Sequence, residues 1–135
     1  MDIVKETVAF VHTEIAETQY QTIITNGKHT IIADEPPSLN GSDTGMNPFS
    51  LLLASLGSCT AITLRMYADR KNWIVRHIDV DLKLFKVEGG TLIERHLKFE
   101  GDLTEEQKKR LIQIADLCPV HKILVGNIMI ETKTD

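Results

Sequence analysis

Between Ile78 and Leu84 the chain alternates strictly: Ile78, Val80, Leu82 and Leu84 are apolar, and Asp79, Asp81 and Lys83 are polar. Side chains along a strand point to opposite faces in turn, so this pattern predicts a half-buried β-strand. A second strand follows the turn Glu88-Gly89-Gly90. Its odd positions Ile93, Leu97 and Phe99 are apolar, while Glu94, His96, Lys98 and Glu100 are polar. Upstream, Ile3 to His12 is rich in β-branched and apolar residues and reads as a strand without clear alternation. Tyr20 to Thr25 and Lys28 to Ala33 flank Asn26-Gly27, which predicts a hairpin closed by a type I′ turn, because both residues tolerate positive φ. Asp34 to Met46 holds Pro36-Pro37, Asn40-Gly41 and Gly45, and reads as a long loop. A last strand is expected over Asn127 to Thr132.

The helical signals are different in kind. Asn47 is a suitable cap and Pro48 suits the first helical position, so a helix is expected from there to about Lys71, ended by Asn72. Arg70 and Lys71 fall where the helix dipole favours cations. From Phe49 to Leu64 no face carries a charge, and Ala54, Ser55, Gly57, Ser58 and Ala61 leave room for close approach. A helix uncharged all round is expected to be buried all round. One short chain has little material for that cover, which points to a second subunit. The run Thr104-Glu105-Glu106-Gln107 is a capping box, followed by the apolar stripe Leu111, Ile114, Ala115 and Leu117. Pro119 ends that helix and can open a short one through Leu124.

Strands, helix, hairpin, helix and strand in that order argue for an α+β fold, and 135 residues suit a single domain over residues 1–135. The chain is 42% hydrophobic, enough for a core, but only 5% aromatic, so aliphatic side chains must fill it. A net charge of −4 gives no basic footprint for nucleic acid. Met1 to Lys5 lacks the pattern of a signal peptide, and the charge-free stretch Thr44 to Leu64 is broken by Asn47, Pro48 and several hydroxyl residues. A cytoplasmic protein away from membranes is expected.

The chemistry narrows to thiols. There are two cysteines, Cys59 and Cys118, too few and too far apart for a four-thiolate zinc site or a disulfide scaffold. The five histidines lack metal-ligand spacing, and no G-x-G-x-x-G, P-loop or H-E-x-x-H element occurs, so neither metal nor cofactor is expected. Cys118 precedes Pro119 and would be an N-cap-like residue, its sulfur near free N–H groups that favour a thiolate; the bland alternative is a small buried residue at a helix break. Cys59 lies mid-helix with no dipole end to assist it, and structural burial is the simpler reading. His121, three residues after Cys118, would serve as base or counter-cation, or sit idle on the surface.

Asn47-Pro48-Phe49-Ser50-Leu51-Leu52-Leu53-Ala54-Ser55-Leu56-Gly57-Ser58-Cys59-Thr60, together with Arg65-Met66-Tyr67-Ala68 and Ala115-Asp116-Leu117-Cys118-Pro119-Val120-His121, resembles the OsmC/Ohr family, in its OsmC-like branch of thiol peroxidases. The resemblance implies an intertwined homodimer in which antiparallel sheet encloses long central helices. It also implies thiol-dependent reduction of organic hydroperoxides as a protection against oxidative stress. Cys59 would be the attacking thiol and Cys118 the resolving one, their disulfide being reduced by an external dithiol. The sequence departs from the family at one point. Family peroxidases carry a Glu ten residues before the first Cys, holding an upstream Arg; here Phe49 stands there and no arginine precedes Arg65. Lys28, Arg65 of a partner subunit, or His121 are the substitutes that the sequence offers. The alternative is a non-peroxidatic dimer of the same fold that binds a small apolar or electrophilic ligand.

Overall fold

The computed structural model describes residues 3–135. The chain divides into two compact units, Met1–Leu51 and Leu52–Asp135. The first holds a three-stranded antiparallel sheet of β1 (His12–Ile15), β2 (Thr22–Thr25) and β3 (Thr30–Ala33) in that order. The β2–β3 hairpin lies where Asn26-Gly27 placed it, but its turn is not type I′. Thr25 pairs with Thr30, leaving a four-residue loop in which only Gly27 has positive φ, at 92°. The Asn26 side chain is the reason: its Oδ1 accepts from the N–H groups of Lys28 at 3.0 Å and His29 at 2.7 Å, an Asx turn that stands in for the tighter one.

The loop after β3 is organised by one carboxylate. Asp34 is buried, and its Oδ1 accepts from the N–H groups of Tyr20 at 2.9 Å, Glu35 at 2.7 Å and Ser42 at 3.2 Å. Its Oδ2 accepts from the Thr44 N–H at 3.0 Å and the Thr44 hydroxyl at 2.5 Å. Burial works against the ionised form, but the Thr44 hydroxyl and the N–H groups of Glu35, Thr44 and Tyr20 outweigh it and hold this carboxyl far below the ordinary range. The loop is therefore ordered rather than a free tether.

The long helix α1 runs Pro48–Lys71. Asn47 caps it as expected, Oδ1 accepting from the Ser50 N–H at 2.9 Å. Asn72 ends it in the left-handed region, φ 56°, while the Trp73 N–H reaches back to the Ala68 carbonyl at 2.9 Å. In the second unit β4 (Ile74–Val87) and β5 (Gly90–Asp102) form one antiparallel hairpin, and α2 (Glu105–Ala115) and α3 (Pro119–Leu124) follow. The capping box at Thr104 is present in both directions, Thr104 Oγ1 accepting from the Gln107 N–H at 3.1 Å and Gln107 Oε1 from the Thr104 N–H at 2.9 Å. The core gathers Leu64 and Ala68 of α1, Val75 of β4, and Leu111, Ile114 and Ala115 of α2. Gly57 lets the helix approach the sheet: a Cβ there would lie 2.8 Å from Leu82 Cδ1.

Three expectations fail, for one reason. α1 is not buried all round; only the stripe Leu56, Thr60, Leu64 and Ala68 is, while Phe49, Leu52, Ile62 and Met66 are exposed. Ile3 to Val11 is not a strand, since β1 begins at His12, and Asn127 to Thr132 is not one either. Val4, Val8, Phe10, Ile128, Met129 and Ile130 stand exposed. Strands need a neighbour to satisfy their N–H and C=O groups, and a helix needs cover on each apolar face. Among the described residues, no strand ladder is formed along 3–11 or 127–132, and the apolar faces of α1 outside its buried stripe are left uncovered.

Candidate active site

Cys118 is the N-cap of α3 and fully buried. Its sulfur accepts from the His121 N–H at 3.3 Å, the geometry that Pro119 at the first helical position dictates. Thr60, in the buried stripe of α1, places its Oγ1 3.8 Å from the same sulfur. Cys59 adjoins Thr60 on α1 and is half-buried, and its thiol is one of the groups that lower the Cys118 thiol. Burial alone pushes the Cys118 thiol up. The His121 N–H, the Cys59 thiol, the Thr60 hydroxyl and the Arg95 charge together overcome it, and the balance lowers Cys118 below an ordinary thiol.

Arg95 is the residue that sequence reasoning missed. Its Nη1 donates to Thr60 Oγ1 at 3.1 Å, and its Nη2 meets Asp116 Oδ1 at 2.9 Å and His121 Nδ1 at 3.2 Å. Its side chain is 12% exposed, against 66% for Asp116. An arginine only donates, so His121 Nδ1 is the acceptor in this contact. His121 thus addresses the sulfur through its backbone and the arginine through its ring. A signal was available. The inward positions of β5 are Ile93, Arg95, Leu97 and Phe99, so one cation sits in an otherwise apolar row.

The other substitutes stand elsewhere. Arg65 donates to the Val75 carbonyl at 2.5 Å and lines a depression with Ile62, Met66 and His77. Phe49 is exposed at the start of α1. A cavity of about 590 Å³ has apolar walls that include Leu52, Leu56, Leu84, Ile93 and Leu97, and its polar lining is Arg95, Asp116, His121 and Thr91. That size accommodates a small organic molecule. Among the described residues no group of three or more His, Cys, Asp or Glu side chains is arranged to hold a metal ion.

A long helix with a two-stranded antiparallel hairpin and two further helices is an α+β architecture, with Cys118, Thr60, Arg95 and His121 clustered on it. The family model for OsmC-like proteins matches residues 41–133, and the chain belongs to that family. No curated relative matches the chain. Among solved structures it is similar to an OsmC-like protein from Mycoplasma pneumoniae, with TM-score 0.77, 19% identity and 90% of each chain covered. It is also similar to the organic hydroperoxide resistance protein OsmC from Legionella pneumophila, with TM-score 0.63, 18% identity, and coverage of 92% of this chain and 93% of that one. The organic hydroperoxide resistance protein OhrB of Bacillus subtilis is similar at 25% identity, TM-score 0.61, covering 90% and 93%.

Proposed function

We propose that this protein reduces organic hydroperoxides through the Cys59/Cys118 pair, as a cytoplasmic homodimer whose chains each act as one domain over residues 1–135. The observation that supports this reading is the polar cluster at Cys118: its sulfur meets the His121 N–H and the Thr60 hydroxyl, and Arg95 reaches Thr60, the residue next to Cys59. The Cys59 sulfur attacks the nearer peroxide oxygen; an S–O bond forms, the O–O bond breaks, and the alcohol leaves. Cys118 then attacks the sulfenic sulfur of Cys59, forming the disulfide and releasing water. An external dithiol supplies two electrons to restore both thiols. The apolar walls of the cavity favour an organic peroxide over hydrogen peroxide, because burial of its hydrocarbon part adds binding energy that the small molecule lacks. The exposed apolar side of α1, with the exposed apolar side chains Val4, Val8, Phe10, Ile128, Met129 and Ile130, supports a second chain as cover.

The test is consumption of cumene hydroperoxide under an excess of a small dithiol. Wild type should turn over, faster than with hydrogen peroxide, and Cys59→Ser should abolish the reaction. If Cys59→Ser leaves consumption unchanged, the enzyme reading fails. A second reading, a binding protein for a small apolar or electrophilic ligand, is favoured by the cavity itself and by Phe49 at the family's Glu position. It predicts ligand binding that survives Cys59→Ser.

A further inference from the structure

The buried stripe of α1 is Leu56, Thr60, Leu64 and Ala68, and one of these four carries a hydroxyl. Thr60 is fully buried. A hydroxyl in such a place costs stability unless its bonds are met, and a valine of nearly the same shape would escape that cost. The helix itself absorbs the proton, since Thr60 Oγ1 donates to the Leu56 carbonyl at 2.7 Å. It has no need of what lies on the other side of the oxygen. There Arg95 Nη1 donates to Oγ1 at 3.1 Å, and the Cys118 sulfur stands 3.8 Å away. One hydroxyl thus has a helix carbonyl, a guanidinium and a thiol around it.

The charged and titratable groups about that sulfur come from each element packed there. Cys59 precedes Thr60 on α1, Arg95 lies on β5, Asp116 follows α2 and His121 belongs to α3. His121 reaches the sulfur with its backbone N–H at 3.3 Å and Arg95 with its ring at 3.2 Å. Asp116 is largely solvated and takes Arg95 Nη2 at 2.9 Å, so it softens the arginine's field without cancelling it. Among the described residues the guanidinium donates to Thr60, Asp116 and His121, and not to the sulfur. Its hydrogen-bonded route to Cys118 on the α1 side runs through the Thr60 oxygen.

We propose that the Thr60 hydroxyl is a catalytic group of the resolving step, the adjustable donor to the Cys118 sulfur, with Arg95 the positioning residue behind it. This deepens the peroxidase reading above and rests on it for the step served. While the Cys118 sulfur is neutral, the nearer Leu56 carbonyl keeps the Thr60 proton. When that sulfur is a thiolate, a turn of the hydroxyl hydrogen redirects the proton to it. The N–H of Arg95 on the oxygen polarises the hydroxyl and makes it a stronger donor. The sulfur gains part of the benefit of a cation with no cation against it, and stays free on the side from which it attacks. In the resolving step the Cys118 thiolate attacks the sulfenic sulfur of Cys59. The S–S bond forms, the S–O bond breaks, and hydroxide leaves and takes a proton from solvent to become water. Thr60 keeps its own proton throughout.

Two measurements on the full chain test this. In the first, Cys118 is titrated alone by thiolate ultraviolet absorbance in a Cys59→Ser background. Thr60→Val should raise its midpoint by about 0.5–1 pH unit, and Thr60→Ser should hold it. A residue that only fills space would be replaced better by valine than by serine, so the opposite order separates the two roles. Arg95→Met should also raise the midpoint, and Thr60→Val with Arg95→Met should raise it by less than the two effects added. That pair leaves no buried guanidinium unpaired, which keeps the fold readable if Thr60→Val alone is unstable. A midpoint as low in the pair as in the Cys59→Ser parent overturns the proposal, and full additivity overturns the route from Arg95 through Thr60. In the second, the decay of Cys59 sulfenic acid to disulfide after one equivalent of cumene hydroperoxide is followed against pH with both cysteines present. Thr60→Val should move the midpoint of that profile upward with the titration. A slower decay with an unmoved midpoint makes Thr60 a packing residue and overturns the proposal. A wild type that forms neither sulfenic acid nor disulfide overturns the peroxidase reading and the resolving role with it. The titration needs no peroxide, so it tells that failure from a failure at Thr60.

Discussion

Arg95 Nη1 lies 3.1 Å from Thr60 Oγ1, and this contact joins the inner row of β5 to the buried stripe of α1 one residue from Cys59. A guanidinium in that position must be satisfied on all sides or it destabilises the hairpin. Thr60, Asp116 and His121 provide that satisfaction. The first prediction follows from it. Asp116→Asn removes a carboxylate that competes with Cys118 for the arginine, so the Cys118 thiol should titrate lower still. Alkylation of Cys118 in a Cys59→Ser background, followed against pH, should show its midpoint moving down; an upward move would mean that Asp116 mainly orients Arg95.

Mild oxidation should join the two sulfurs. One equivalent of organic hydroperoxide should give a Cys59–Cys118 peptide by non-reducing mass mapping, within one chain. Cys59 adjoins Thr60, whose hydroxyl lies 3.8 Å from the Cys118 sulfur, and disulfide geometry needs the two Cα atoms within about 7 Å. Cys59 sulfinic acid in place of that peptide would remove Cys118 from the cycle.

The exposed apolar side of α1 calls for a partner chain. Sedimentation at micromolar concentration should give a dimer, and Ile62→Lys with Met66→Lys should weaken it or leave little folded protein. A stable, folded wild-type monomer would contradict this.

Asp34 makes the first unit sensitive to acid. Its folded carboxyl titrates below the unfolded one, so its contribution is fully present above about pH 4 and is lost as pH falls toward the depressed value. The stability difference between wild type and Asp34→Asn should therefore be largest near neutrality and narrow below pH of about 4 in denaturant titrations. A gap that stays constant from neutral pH down to about pH 3 would rule out this account.

In the second unit, Leu111→Ala should cost about 2–5 kcal/mol in the same titrations, because Leu111 is fully buried against Leu64 and Ile114 and its loss leaves a cavity.

How much of this the sequence disclosed depends on where each signal is written. Helix ends were legible at Asn47, Asn72 and Thr104, because capping is a local hydrogen-bond problem with few side chains able to solve it. The β4–β5 pair was legible because one face is wet and the other is not. Cys118 as the cap of α3 followed from Pro119 alone. The hairpin turn was misread, since the dipeptide Asn26-Gly27 does not disclose that the Asn side chain will take two N–H groups. Ile3 to Val11 and Asn127 to Thr132 have strand composition, but pairing depends on a neighbour that local pattern cannot name. Arg95 escaped because its role is tertiary. Its partners stand 35, 21 and 26 positions away, and only its place in an apolar row gave it away.

Cys118 is also what holds the first turn of α3 in place, its sulfur accepting from the His121 N–H. A sulfur locked in a disulfide carries no charge and is a poor acceptor, so oxidation strips the cap from a helix of only 6 residues. Losing a cap costs a helix roughly 0.5–2 kcal/mol, and one so short has little else to sustain it. The oxidised chain would then differ from the reduced one in the shape of its backbone as well as in one covalent bond. A reductant that docks near α3 would have a surface by which to tell spent molecules from ready ones.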